Sequence, residues 1–130
     1  MPELYNLNLT ESDIKEIIAK NPIIKETPEE DITNLINILK QLKCTNSDIK
    51  NIIITNPFYL TSIDTDIINL INKLTKLGIS NLNHLFDSNP YLLNKEAYEI
   101  DEFVTEMSKT YQKEEIIDML ENNPFLIDEL

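Results

Sequence analysis

The stretch Asn56-Pro57-Phe58-Tyr59-Leu60 decides the fold, because its pattern of asparagine, proline and apolar residues occurs four times in the 130-residue chain. The other copies are Asn21-Pro22-Ile23-Ile24, Asn89-Pro90-Tyr91-Leu92-Leu93 and Asn123-Pro124-Phe125-Leu126-Ile127. Their prolines are 35, 33 and 34 residues apart. Proline cannot donate a backbone hydrogen bond, and its ring clashes with the preceding helical turn, so each copy predicts the end of a helix. Recurrence at this period is typical of repeat proteins.

Apolar residues recur at fixed distances from each proline and predict helices on both sides of it. The residues eight, five and four positions before the prolines are Ile14, Ile17, Ile18, Ile49, Ile52, Ile53, Leu82, Leu85, Phe86, Ile116, Met119 and Leu120. Those ten, thirteen, fourteen and seventeen positions after are Ile32, Leu35, Ile36, Leu39, Ile67, Leu70, Ile71, Leu74, Ile100, Phe103, Val104 and Met107. Spacings of three and four place these side chains on one helical face, whereas a strand needs a spacing of two.

Two helices and the proline-led segment between them make one repeat. The repeats cover about residues 9–43, 44–78 and 79–111, and a partial copy covers residues 112–130. A single helix pair would leave its apolar face in water, so neighbouring pairs have to stack. The sequence therefore predicts one all-α domain over residues 1–130, an α-solenoid of about three and a half tandem helix pairs.

Local signals place the starts of two first helices. Thr10 followed by Asp13, and Thr45 followed by Asp48, have the spacing of a capping box. Residues 1–8 are predicted as a lead-in to the first helix. Its apolar end, Leu7 and Leu9, is expected to pack on that helix.

Proline and glycine mark further helix ends. Thr27-Pro28 predicts a helix that is capped by threonine, has proline at its first position and runs to about Lys43. Gly78 suits a left-handed turn after a helix predicted from about Asp64 to Leu77. The third repeat starts at Ser80 with a first helix two residues shorter than the others. The last two predicted helices run from about Lys95 to Thr110 and from about Lys113 to Asn122.

Composition excludes several classes of function. The formal net charge is −12, with 11 lysines, no arginine and 23 acidic residues. This balance disfavours nucleic-acid backbones, which need lysine and arginine to displace counterions, and it disfavours anionic membranes. No apolar run approaches the roughly 20 residues of a membrane helix, and the start does not resemble a signal peptide. We expect an intracellular, cytoplasmic protein with no membrane partner.

The chain resembles the repeats of the mitochondrial transcription termination factor (mTERF) family. Leu77-Gly78-Ile79-Ser80 with Pro90-Tyr91-Leu92-Leu93 carries the resemblance, and Leu42-Lys43-Cys44-Thr45 with Pro57-Phe58-Tyr59-Leu60 is a looser copy. The resemblance covers residues 7 to 127. It implies two helices and a 3₁₀ turn in each repeat, stacked into a right-handed solenoid. It also implies binding of nucleic acid along a basic concave groove, or of a protein partner.

Residues with catalytic or metal-binding chemistry are sparse. His84 has no second histidine or cysteine near it in sequence, so the spacing of a metal site is absent. Cys44 is expected to be a small core residue, because a catalytic thiol needs a base such as histidine. Pairs of acidic residues, such as Asp64 with Asp66, fit helix N-termini, where carboxylates are favoured. We predict no catalytic, metal-binding or cofactor-binding residues and no enzyme activity.

Two sets of residues have open alternatives. Tyr59, Tyr91 and Phe125 follow the prolines and are predicted to face the core, although aromatic side chains in such places also stack on bases. Four lysines are expected to lie on solvated helix faces and are the contacts predicted if the chain binds nucleic acid: Lys15, Lys20, Lys25 and Lys50.

The partial fourth repeat supplies the candidate partner contact. Its apolar residues either cap the third repeat or leave a patch for a partner or a second copy of the chain. The candidate contacts are Ile117, Leu120, Phe125, Leu126 and Ile127. Ile117 stands in a row that otherwise holds Lys15, Lys50 and Asn83, which suggests extra apolar surface.

Charge distribution adds a second hint about partners. Residues 1–78 hold 8 lysines and 11 acidic residues, a net charge of −3, whereas residues 79–130 hold 3 and 12, a net charge of −9. The acidic part is either a docking face for a basic partner or ordinary solubility chemistry. The sequence therefore predicts a non-catalytic protein-binding module that needs no cofactor. Nucleic-acid binding is the alternative.

Overall fold

In each copy of the repeat, one α-helix ends at the asparagine–proline pair and a short 3₁₀ helix follows. The computed structural model describes residues 2–129, so the first and last residues of the predicted domain lie outside it. The α-helices are α1 (Pro2–Tyr5), α2 (Glu11–Lys20), α3 (Glu29–Gln41), α4 (Asn46–Thr55), α5 (Asp64–Leu77), α6 (Leu82–Ser88), α7 (Ala97–Met107) and α8 (Lys113–Asn122). Four 3₁₀ helices, which we call connectors one to four, are Pro22–Glu26, Pro57–Thr61, Pro90–Asn94 and Leu126–Glu129.

These elements recur in the predicted order of first helix, connector and second helix. Helices α2 and α3 flank the first connector, α4 and α5 the second, and α6 and α7 the third, while α8 precedes the fourth. No strand occurs in residues 2–129. The prediction of an all-α fold built from tandem helix pairs is therefore confirmed.

Each first helix ends at its asparagine, because the proline that follows cannot continue the helix. Asn21 has φ −138° and ψ 80°, outside the helical region, while its backbone N–H still donates to the carbonyl oxygen of Ile17. The corresponding asparagines of the other copies have φ between −130° and −136°. In the first three copies, proline then takes the first position of the connector, where its missing N–H would have had no helical partner.

The chain forms two compact units that divide between Asp64 and Thr65. In the first unit, α2 and α3 both pack on α4, α3 also packs on the second connector, and the first two connectors pack on each other. Tyr59 is fully buried there, and its hydroxyl donates to the carbonyl oxygen of Leu35 at 2.6 Å. Burial, with a smaller contribution from Cys44, raises the pKa of Tyr59 above its ordinary value.

In the second unit, α5 contacts α7, and the glycine that follows α5 contacts α8. The Nζ atom of Lys73 in α5 lies 3.1 Å from a carboxylate oxygen of Asp101 in α7. The side chain of Ile117 in α8 lies over Gly78, with its Cδ1 atom 2.8 Å from the place where a Cβ on that glycine would stand. Only glycine leaves room for this close approach without a shift of Ile117.

The predicted apolar rows form the cores of both units. The rows eight before, ten after, thirteen after and seventeen after the prolines are buried in every copy. In the three remaining rows most residues are buried as well, and four are half-buried: Ile18, Ile71, Val104 and Met119. In the lead-in, Leu7 and Leu9 are buried as predicted, but the short helix α1 was not predicted.

The predicted capping boxes are present at the starts of α2 and α4. The backbone N–H of Asp13 donates to Thr10 Oγ1 and that of Thr10 donates to Asp13 Oδ2, both at 3.0 Å. Thr45 and Asp48 make the same pair of hydrogen bonds at 3.1 and 2.8 Å. Both boxes satisfy N–H groups that the first helical turn leaves without partners.

The predicted start of α3 is wrong by one residue. Pro28, not Thr27, is the N-cap, and the Thr27 hydroxyl donates instead to the carbonyl oxygen of Ile23 at 2.9 Å. The threonine side chain is thus used to close the first connector. Two second helices are also shorter than predicted. Helix α3 ends at Gln41 rather than at about Lys43, and α7 spans Ala97–Met107 rather than about Lys95 to Thr110.

Two second helices end in the same left-handed turn. Gly78 has φ +117°, as predicted, and the next N–H, of Ile79, donates back to the carbonyl oxygen of Leu74 at 3.1 Å. Lys43 holds the matching place after α3, with φ +69° and the same hydrogen-bond pattern. Because lysine has a Cβ atom, this conformation is strained at Lys43 and relaxed at Gly78.

Candidate protein-binding and nucleic-acid-binding surfaces

A buried side-chain hydrogen bond joins neighbouring copies within each unit. In the first unit, Asn21 Nδ2 donates to the carbonyl oxygen of Pro57 at 3.1 Å and to Thr61 Oγ1 at 3.0 Å. In the second unit, Asn89 Nδ2 donates to the carbonyl oxygen of Pro124 at 2.9 Å. Sequence reasoning treated asparagine only as the residue before a helix-ending proline. The signal that it missed was the choice of asparagine in all four copies.

The residue directly after each proline faces solvent. Ile23, Phe58, Tyr91 and Phe125 are between 46% and 61% exposed. The residue that follows each of them is buried in the first three copies. The prediction that Tyr91 and Phe125 face the core is therefore wrong. The prediction for Tyr59 is confirmed, because Tyr59 is the second residue after its proline, whereas Tyr91 and Phe125 are the first.

The first connector has two solvent-facing sides with different chemistry. Residues three apart on a 3₁₀ helix lie on one side of it. Ile23 and Glu26 therefore share one side, Pro22 and Lys25 share another, and Ile24 is buried between them. Each exposed side borders a separate groove.

Ile23 and Glu26 border a groove of about 420 Å³ in the first unit, which we call the acidic groove. Asp31 and Asp64 supply two more carboxylates, and Ile63 supplies a second exposed isoleucine. No lysine lines this groove in the described part of the chain. The groove thus combines negative charge with apolar side chains.

A second groove of about 340 Å³ lies on the other side of the first connector, where Lys15 and Lys25 line it. These are two of the four lysines predicted as nucleic-acid contacts. The other two have different surroundings: the Nζ of Lys20 lies 3.3 Å from a carboxylate oxygen of Glu16, and Lys50 attracts the acidic residue of the α2 capping box. The structure thus brings together only half of the predicted set.

A lysine cluster in the second unit was not predicted. Lys73, Lys76 and Lys113 line a groove of about 540 Å³ whose wall includes the half-buried Val104. Lys73 is also paired with Asp101. The available signal was the spacing of three between Lys73 and Lys76, which places both on one face of α5.

The structure leaves only part of the predicted C-terminal contact set at the surface. Leu120 is fully buried and Ile127 is buried, so neither can contact a partner, because both fill the core of the second unit. Ile117 packs over the glycine that ends α5. Phe125 is exposed and Leu126 is half-buried, so these two residues and part of Ile117 remain at the surface.

The two residues considered for catalytic or metal chemistry belong to different units. His84 is exposed on α6, and Cys44 is buried in the first unit. Among the described residues, no group of three or more histidine, cysteine or carboxylate side chains is arranged to hold a metal ion. Within residues 2–129, the helices are too short or too polar to cross a membrane.

Comparison with known proteins identifies the family of the chain. The model of the mTERF family matches residues 3–85, which is more than half of the sequence. The matched region begins within α1 and ends within α6, so it contains the first two repeats in full. A search of curated proteins found no match. From the matched region and the repeated helix pairs, we conclude that this chain belongs to the mTERF family.

Proposed function

We propose that the protein is a protein-binding helical-repeat module, and that its contact residues are the ones directly after the prolines. The observation that carries this proposal is their exposure in all four copies, at 46% to 61%. Exposed apolar residues mark an interaction surface when they recur at one position rather than singly, and aromatic residues are enriched at the energetic centres of protein interfaces.

The connectors hold these side chains in fixed positions. In each unit an asparagine donates to the proline carbonyl of the next copy, which is the residue directly before the exposed side chain. The buried residue that follows fixes the other side. A contact residue that is already ordered loses little conformational entropy on binding, which favours affinity.

The fourth copy extends the proposal to the C-terminal end. Phe125 holds the same position as Phe58 and Tyr91, and Leu126 beside it is half-buried. We include this end as a contact with a partner or with a second copy of the chain. Light scattering at high protein concentration tests the second possibility, and Phe125→Ser is expected to lower any measured association.

Site-specific photo-crosslinking tests the main proposal. A benzoylphenylalanine replaces Phe58 or Tyr91, and the control position is Tyr98, which is 60% exposed on α7 and outside the connectors. In an extract of the source organism, we expect adducts from the first two positions that resist nuclease and disappear with protease. No protein adduct, or the same adducts from Tyr98, contradicts the proposal.

Nucleic-acid binding is the second candidate, favoured by family membership and by the cluster of Lys73, Lys76 and Lys113. Three lysine–phosphate contacts give a slope of about −2.7 when the logarithm of the binding constant is plotted against the logarithm of the salt concentration. Affinity therefore falls roughly 40-fold between 50 and 200 mM salt. Proteins with six to ten such contacts lose about 10³ to 10⁵ over the same range. The chain is therefore expected to bind nucleic acid weakly at most.

Fluorescence anisotropy separates the two candidates. Labelled duplex and single-stranded DNA and RNA are titrated with the protein at about 50 mM salt. If nucleic acid is the ligand, Lys76→Ala with Lys113→Ala weakens binding, whereas Lys40→Ala with Lys109→Ala, which lie outside the groove, do not. No change in anisotropy with any probe removes the second candidate.

A further inference from the structure

We infer that the acidic groove receives a segment of a protein partner that carries both basic and aliphatic side chains. This inference rests on the proposed protein-binding function and names the chemistry of one partner segment. It is built from the shape of the groove, its charge and one residue that breaks a local rule of helix structure.

The groove has an apolar base and an acidic edge. Leu35 and Leu60 lie at its base and are buried. Ile23 and Ile63 stand at its margin, and Ile63 is 63% exposed. Aliphatic side chains of a partner would therefore meet apolar atoms both beneath and beside them.

Charge selects against an acidic ligand and favours a basic one. Glu26, Asp31 and Asp64 line the groove, and all three are exposed. Lys25 is next to Glu26 in sequence but borders the other groove, because the connector turns it to a different side. Carboxylates along a groove raise the local concentration of a cationic segment and repel the phosphates of nucleic acid.

Ile63 is unfavourable for the helix that it precedes. It stands immediately before α5, at the position that Pro28 and Glu96 hold as N-caps of α3 and α7. Isoleucine is among the poorest N-cap residues, since it offers no acceptor to the first turn. Ile63 neither caps the helix nor lies in the core, and it borders a groove. Such a residue is expected at a site that contributes to binding rather than to stability.

The test uses a synthetic peptide of four Lys-Leu repeats as the probe and one of four Glu-Leu repeats as its control. The protein carries ¹³C-labelled isoleucine methyl groups, and NMR follows them during titration. We expect the Lys-Leu peptide to shift the methyl signals of Ile23 and Ile63, and added NaCl to reverse the shifts. No shift at either residue, or equal shifts with the Glu-Leu peptide, overturns the inference.

Charge reversal with a matched control separates local recognition from the overall negative charge. The double variant Glu26→Lys with Asp31→Lys is expected to lower the affinity of the protein for the Lys-Leu peptide by roughly tenfold or more. Glu11→Lys with Glu30→Lys makes the same change in net charge at exposed residues outside the groove and is expected to leave affinity within about twofold. Equal losses in both variants overturn the inference, because the attraction is then global.

Ile63→Ser gives a readout that a purely structural role would not produce. Serine is a good N-cap, so the melting temperature is expected to rise while the affinity for the Lys-Leu peptide falls. Unchanged affinity contradicts the inference. Protein adducts from Phe58 and Tyr91 in the absence of peptide binding would retain the proposed function and reject only this groove. Peptide binding without such adducts would do the reverse.

Discussion

At the scale of single residues, the asparagine before the proline has two tasks in the first and third copies. Its backbone ends a helix, and its amide reaches the next copy. Asn21 is buried and makes two side-chain hydrogen bonds there, while Asn89 makes one and leaves its Oδ1 atom buried without a protein partner. An apolar residue at these places would leave a buried proline carbonyl without its donor.

We expect Asn21→Ala to lower the free energy of unfolding by about 1–3 kcal/mol, because it removes one buried and one partly buried hydrogen bond. The control is Asn123→Ala. Asn123 is more exposed, and its amide makes only long contacts at the surface, from Nδ2 to Glu129 at 3.4 Å and from the Phe125 N–H to Oδ1 at 3.3 Å, so a much smaller loss is expected. Urea denaturation measures both. Equal losses would show that the asparagines matter only as helix ends.

Lys43 offers a stabilising change. Its φ of +69° is strained for lysine, whereas Gly78 takes the matching place without strain. Lys43→Gly is expected to raise the free energy of unfolding by roughly 0.5–1 kcal/mol. Gly78→Ala is expected to lower it, because alanine is strained at φ +117° and its Cβ would meet Ile117. Thermal denaturation followed by circular dichroism measures both, and a loss of stability in Lys43→Gly contradicts this reasoning.

At the scale of elements, the sequence was informative about helices and much less so about connectors. Spacings of three and four needed only a list of apolar residues, and the bounds of α2 and α8 came out as predicted. To predict which side of a connector a residue faces, one has to apply the period of three of a 3₁₀ helix. Comparing Tyr59 with Tyr91 by residue type, rather than by distance from proline, assigned the wrong side. The acidic groove also needs two connectors placed next to each other, which no local pattern shows.

The capping box of α2 makes stability depend on pH. The hydrogen bond from the Thr10 backbone lowers the pKa of Asp13, and the Thr10 hydroxyl and the charge of Lys50 add to this. Because the folded-state pKa lies below the ordinary value of 3.8, this stabilisation is present above pH 3.8 and is lost as the pH falls through the lowered value.

We therefore expect Asp13→Asn to lose less stability between pH 7 and pH 3 than the parent protein. The control is Asp118→Asn in α8, which removes an exposed carboxylate outside any capping box. Urea denaturation at a series of pH values gives the comparison. If Asp13→Asn and the parent protein lose stability equally, the capping box is not the source of this dependence.

At the scale of the whole molecule, like charge is the dominant electrostatic feature. The first unit holds 6 lysines and 10 acidic residues, a net charge of −4, and the second holds 5 and 13, a net charge of −8. The ion pairs described above lie at exposed or half-exposed side chains, where such pairs contribute little. Repulsion among carboxylates is expected to outweigh them.

Salt is therefore expected to stabilise the protein. Raising NaCl from about 20 to 500 mM shortens the screening length and weakens repulsion, so the melting temperature should rise. A Lys-to-Glu change on an exposed face, such as Lys40→Glu, should steepen this rise. Thermal denaturation at each salt concentration provides the measurement. A melting temperature that falls with salt would mean that ion pairs, not repulsion, dominate.

The asparagine–proline pairing also bears on how the protein ages chemically. Asparagine deamidates when the backbone nitrogen of the next residue attacks its side-chain amide, and proline has no N–H with which to complete that ring closure. Each amide that joins one copy to the next is thus followed by the residue that protects it from conversion to aspartate. The same proline that stops the helix keeps its neighbour a hydrogen-bond donor over the lifetime of the molecule.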